Sequence, residues 1–171
     1  MPYLIVLLLL AAFSTFSATP IRLQAASEGI PLGRQVDMLE DPTGRLTIGQ
    51  VAQSAFLTRF KPGQTDMLAM GLTSSAYWVR VRLANASART DWCLQLGEPY
   101  LHEVDVYTQQ GRAWQHWALG DNRPFGNRPM VSNHLLFPLP VGSEQTLYIR
   151  YRSATTLRIP IYVVRLPTLL N

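Results

Sequence analysis

The sequence is poor in several residues that would announce a chemistry. One cysteine, Cys93, and one lysine, Lys61, occur in 171 residues. A lone cysteine excludes an internal disulfide, so a domain of this length must rest on its apolar core. The side chain of Cys93 falls beside Gln95 on one strand face, opposite Trp92, Leu94 and Leu96. That placement suggests a half-buried structural thiol. Three histidines, His102, His116 and His134, lie far apart, and none has a second ligand at helical or turn spacing, which argues against a metal site. There is no glycine-rich phosphate loop, and no serine or cysteine sits in an activating histidine motif. Glu103 and Asp105 share one strand face, but nothing sets an acid opposite them, as glycoside hydrolysis requires. These absences point away from an enzyme and from any cofactor.

Positive charge exceeds negative by four, nearly all of it arginine. The arginines are scattered singly along strands rather than gathered in a tail, which argues against nucleic acid as a partner. An unbroken apolar run, Leu4 to Ala12, suits the core of a signal peptide and is too short to span a membrane. The leader runs from Tyr3 to about Ala18, with small residues there and at Ala25, Ala26 and Ser27 offering cleavage points. Residues 1–26 are thus expected to be a signal peptide and lead-in, 34–165 one exported domain, and 166–171 a tail. An uncleaved leader would tether the same domain to the membrane. In a bacterium the domain would lie in the periplasm.

What is present is alternation. Tyr77-Trp78-Val79-Arg80-Val81-Arg82-Leu83 and Leu147-Tyr148-Ile149-Arg150-Tyr151-Arg152 each switch character at every residue, and strand side chains switch faces with the same period. One face carries Tyr77, Val79, Val81, Leu83, Leu147, Ile149 and Tyr151 and reads as core. The other carries Trp78, Arg80, Arg82, Tyr148, Arg150 and Arg152 and reads as an aromatic, basic surface, with Glu103, Asp105 and Tyr107 from a further strand. Strands are predicted over 34–40, 76–84, 92–96, 103–108, 113–119, 134–139, 146–152 and 157–164, separated by Gly and Pro turns. Pro160 places an edge or bulge in the last of them. One short helix, near residues 47–56, is capped by Thr47 and carries Ile48, Val51, Ala52 and Phe56 at helical spacing. It is expected to close one end of the sandwich.

Four landmarks recur in order: Gly71-Leu72-Thr73 leading into Tyr77-Trp78-Val79-Arg80; Asn85 before Trp92-Cys93-Leu94-Gln95-Leu96; Gly120-Asp121 with Pro124-Phe125 and Arg128; and Leu147-Tyr148-Ile149-Arg150 followed by Leu157, Pro160 and Ile161. With Leu39-Glu40-Asp41-Pro42-Thr43-Gly44 and Phe60-Lys61-Pro62 upstream, this set resembles the second type of extracellular domain of bacterial seven-transmembrane receptors with diverse intracellular signalling modules. The resemblance runs from about Gln35 to Val164. It implies an all-β, jelly-roll-type β-sandwich similar to carbohydrate-binding modules, acting as a sensor. It also implies membrane helices and an output module beyond the domain. Neither is in the sequence up to Asn171, so the chain reads as part of a longer receptor or as a solitary exported relative.

The candidate ligand-binding residues are Trp78, Arg80, Tyr148 and Arg150 on the sheet face, Asp121 and Arg128 from the 120–128 loop, and Trp117. Aromatic rings stack on the C–H faces of sugars and arginine forks bind carboxylates or hydroxyls; together they suit a carbohydrate, an acidic one included, or a small polar ligand. The same residues could instead form cross-strand ion pairs on a solvent face. Trp114 and Trp117, three apart, should point to opposite faces, one into the core and one outward. Asp121 and Arg128 are expected to pair and hold their loop, with Phe125 plugging the core beneath it. The competing reading is a protein-interaction or homodimerisation module acting on a membrane signalling partner. A detached binding module of a carbohydrate-active enzyme is a third.

Overall fold

The computed structural model describes residues 19–24, 27–85, 87, 89–139 and 142–166. The leader expected over Tyr3–Ala18, the cleavage points at Ala25 and Ala26 and most of the tail lie outside the described residues. No helix among the described residues is long and apolar enough to cross a membrane.

The chain is an all-β sandwich. Its strands are β1 (Ile21–Arg22), β2 (Asp37–Asp41), β3 (Lys61–Pro62), β4 (Leu68–Gly71), β5 (Ala76–Asn85), β6 (Trp92–Gln95), β7 (Glu103–Gln110), β8 (Ala113–Leu119), β9 (Leu136–Pro138), β10 (Gly142–Arg152), β11 (Leu157–Ile159) and β12 (Tyr162–Arg165). The large sheet has the order β3-β2-β5-β10-β7-β8, with β1 parallel to the end of β5. The opposing layer is built from β12-β6-β9 and the ribbon β11-β4. The last predicted strand is therefore two. Pro160 cannot donate to a ladder, and on either side of it the chain joins different partners, β11 with β4 and β12 with β6.

Alternation places the main core between the layers. Val79, Val81, Leu83, Leu147, Ile149 and Tyr151 face inward against Trp92, Leu94, Leu96, Ile159 and Val163, with Tyr77 half-buried at its margin. A second core lies on the other face of the large sheet, where the sequence suggests a surface. Here two single-turn helices, α1 (Ile48–Val51) and α2 (Ser54–Leu57), pack over Leu39, Phe60, Trp78 and Tyr148. The predicted helix is thus two short turns, and it covers a sheet face rather than closing an end. Thr47 caps α1, its N–H and hydroxyl both donating to Gln50 Oε1 at 2.9 and 3.1 Å.

The cover is tied to the sheet at its start. The Asp41 carboxylate accepts from the Thr43 hydroxyl and the Gly44 and Leu46 amides at 2.9–3.0 Å. Burial opposes ionisation of Asp41, yet these donors outweigh it and hold the carboxyl below its ordinary value. The Gly44 carbonyl in turn accepts from Arg150 Nη2 at 3.1 Å.

A third cluster backs the small sheet. Cys93 is buried there with Leu136 and Val164, its sulfur 3.5 Å from that of Met130. The thiol is fully rather than half buried, and burial pushes it up to about 11.

Candidate functional site

The antiparallel pairing of β7 with β10 runs from Glu103–Arg152 to Thr108–Leu147 and then stops, although both strands continue. Beyond that point, among the described residues, Gln109 and Gln110 pair only with β8, and the Gly142–Thr146 part of β10 only with β5. The register of β10 against β5 also shifts between Gly142 and Gln145, a bulge that bends a strand locally. The β7–β8 hairpin turns at Gly111-Arg112, where Gly111 adopts a φ of +60° that a non-glycine residue disfavours.

The divergence leaves an opening of about 720 Å³ in the large sheet. Because it breaches the sheet, it is lined from both sides. Trp114 and Tyr148 stand on the outer face, their rings edge to face at 5.7 Å. Trp117 stands on the inner face, edge to face with Phe137 at 5.0 Å. The two tryptophans do point to opposite faces, but both are half-buried and both reach the opening. Gln109, Gln115 and Thr146 add amide and hydroxyl groups, which can both donate and accept. No arginine, lysine or histidine among the described residues lines it. Glu144, the charged residue among the described lining, is paired with Arg82. The Tyr148 phenol is pushed up by burial, with the Arg80 charge opposing.

Of the candidates read from the sequence, Tyr148 and Trp117 line this opening. The others are elsewhere. Trp78 is fully buried beneath α1 and α2, so it is no exposed platform. Arg80 is also buried, because Asp37 lies directly opposite it in register and takes both Nε and Nη2, at 3.2 and 2.6 Å. Its guanidinium further stacks over Phe60 at 5.0 Å. Arg150 sits in an ionic cluster, within 3.4 Å of Glu103 and 3.3 Å of the buried Asp105. Asp105 also meets His116 Nε2 at 2.9 Å and Arg123 at 3.9 Å, and His116 stacks on Tyr107 at 4.6 Å. The face is thus decorated by cross-strand pairs, and Arg80, Arg82 and Arg150 are occupied internally.

The 120–128 loop also departs from expectation. Arg128 does not pair with Asp121. Its Nη1 donates to the Ser132 carbonyl at 2.8 Å and its guanidinium lies over the Phe125 ring. Phe125 is 48% exposed and plugs nothing. The loop is short enough to hold itself with local partners, so the long-range pair is unnecessary.

Trp114, Gln109, Gln115 and Thr146 are among the lining residues not selected from the sequence. Trp114 shares a face with Tyr148 through the β7–β8 register, Gln109 opposite Trp114 and Tyr107 opposite His116. That register was the missing signal.

No curated protein matches the chain. A family model does, that of 7TMR-DISM extracellular 2, over residues 33–165. The exported all-β domain described above is therefore a sensor module, and the chain belongs to the family of 7TMR-DISM extracellular 2 domains, the second type of extracellular domain of seven-transmembrane receptors with diverse intracellular signalling modules.

Proposed function

We propose that this sensor domain binds a neutral, carbohydrate-like ligand in the opening between β10 and the β7–β8 hairpin. The observation that carries the reading is the lining. Half-buried indoles and a phenol supply flat apolar surface for sugar C–H groups, while glutamine and threonine side chains supply hydrogen bonds without net charge. An acidic sugar suits the opening poorly, because no cation among the described residues lines it and Arg80, Arg82 and Arg150 already have carboxylate partners. A cleft of this size, which sets aromatic surface among convergent polar side chains, can hold a small molecule.

The test is a thermal-shift and calorimetric screen of the protein against neutral and acidic oligosaccharides. A neutral sugar should raise the melting temperature in a concentration-dependent way. Trp114→Ala should abolish that response with little change in the stability of the free protein. A response to acidic sugars alone, or one indifferent to Trp114→Ala, would refute the reading. The second reading, a protein-interaction module, draws on the same opening: the Gly142–Thr146 edge of β10 lacks a neighbour on one side among the described residues, and such an edge can accept an extended peptide. Silence across the sugar panel with the protein folded would favour it.

A further inference from the structure

A separate cavity of about 580 Å³ opens where β10 runs into β11, on the side of the large sheet away from the hairpin tip. Its lining includes His102, Glu103, Asn122, Arg152, Ser153 and Ala154. Several of these are held in place by the surrounding chain. The Ala154 N–H donates to His102 Nδ1 at 3.1 Å, and the buried Ser153 hydroxyl lies 2.9 Å from the same nitrogen. A backbone amide can only donate, so Nδ1 is the acceptor and the neutral ring carries its proton on Nε2. Asn122 is set by the turn after β8: the Asp121 and Asn122 amides donate to the Leu101 and His102 carbonyls at 2.8 and 3.1 Å. That approach requires Gly120, whose φ is +116° and where a Cβ would stand 2.4 Å from the His102 oxygen. The loop that the sequence marks at Gly120-Asp121 thus docks against this cavity rather than over the sugar-type opening.

Charge in the cavity is asymmetric. Arg152 is exposed and has no ion pair among the described residues. Glu103 is committed to Arg150. The free donors are therefore a guanidinium, an imidazole N–H and a carboxamide, all on a framework fixed by backbone bonds, with one carboxylate at the margin.

We propose that this cavity is a second ligand site, taking a small molecule that bears a single carboxylate. Arg152 pairs with the carboxylate, while His102 Nε2–H and the Asn122 amide donate to it. Glu103 disfavours a doubly charged anion such as phosphate by like-charge repulsion. Leu72, which lines the cavity and is 80% exposed, offers apolar contact to a short alkyl portion. The site is independent of the opening at Trp114.

Calorimetric titration of the protein with propionate, and in parallel with inorganic phosphate, tests the proposal. Propionate should bind saturably and more tightly than phosphate. Arg152→Ala, a change at an exposed position, should weaken propionate roughly tenfold or more, the scale of one lost charge-assisted contact. Arg22→Ala, another exposed arginine remote from the cavity, should leave it unchanged, as should Trp114→Ala. His102→Gln, which keeps an acceptor for Ala154 and a donor for the ligand, should lose less than His102→Leu. The absence of saturable binding at millimolar propionate, tighter binding of phosphate, or binding indifferent to Arg152→Ala would each overturn it.

Discussion

The outer face of the large sheet holds two aromatic regions of nearly the same composition and opposite fate. Around Trp78 the rings of Phe60 and Tyr148 and the Arg80 guanidinium are sealed beneath α1 and α2. Around Trp114 the same kind of ring meets an opening, because β10 and the β7–β8 hairpin part beyond Leu147 and Thr108. Tyr148 belongs to both and marks the boundary. Residue type alone therefore does not make a binding face. What covers the residues, and where the ladder stops, decides it.

Four perturbations test this contrast. The largest effect is expected at Arg80. Arg80→Ala leaves Asp37 buried without its partner, which costs about 3–5 kcal/mol. Chemical denaturation measures it, and a loss under about 1 kcal/mol, the scale of an exposed pair, would show the covered region to be solvated after all.

Next comes acid. Asp41 is held below its ordinary value by its donors, so its contribution is fully present above the unfolded carboxylate value, about 3.9, and is lost as pH falls through the lower folded one. The melting temperature should therefore drop more steeply below about pH 4 in wild type than in Asp41→Asn. Asp41→Asn should itself lower the melting temperature at neutral pH, since the amide keeps only one acceptor oxygen for the Leu46 and Gly44 amides. Parallel melting curves of the two proteins against pH would contradict the role given to this carboxylate.

A smaller effect of opposite sign is expected at Tyr151. Its hydroxyl is buried without a hydrogen-bond partner among the described residues, and burial raises it well above the ordinary phenol value. Tyr151→Phe removes an unsatisfied group and should leave stability equal or increased by up to about 1 kcal/mol, read by thermal melting. A marked loss would show that the hydroxyl has a partner.

The smallest effect is at Cys93. With the thiol pushed up to about 11 and wholly buried, labelling by a thiol reagent at neutral pH should be negligible in the native protein and complete in denaturant. Fast native labelling would mean that the layer over Cys93 and Met130 opens readily.

Much of the sandwich was legible in the sequence because its long strands alternate strictly. β5, β7, β8 and β10 lie where period-two patterns put them, and Val79, Ile149 and Trp92 are core as their parity requires. The elements that escaped, β1, β3 and β4, have two to four residues each, too few for a period to show. The cover escaped for another reason. Ile48, Val51 and Phe56 announce an apolar stripe but not the surface it meets, and a stripe can cap an end or lie on a face. Once it lies on the face, Trp78 and Arg80 cease to be surface and Asp37 becomes the partner that Arg80 needs. The opening was illegible because it depends on where two strands stop pairing, and no residue pattern records that. Trp117 was selected and Trp114 was not, although the two lie three residues apart and both reach it.

The most direct test of this contrast is a tryptophan-fluorescence titration with the neutral oligosaccharide panel, run on wild type, Trp114→Phe and Trp78→Phe. Trp78 lies under the cover and Trp114 lines the opening. Wild type should give a saturable signal change that persists in Trp78→Phe and is sharply reduced in Trp114→Phe, where Trp117 remains as an indole at the opening. A change that persists in Trp114→Phe and vanishes in Trp78→Phe would contradict it, and would place the ligand beneath the helices instead.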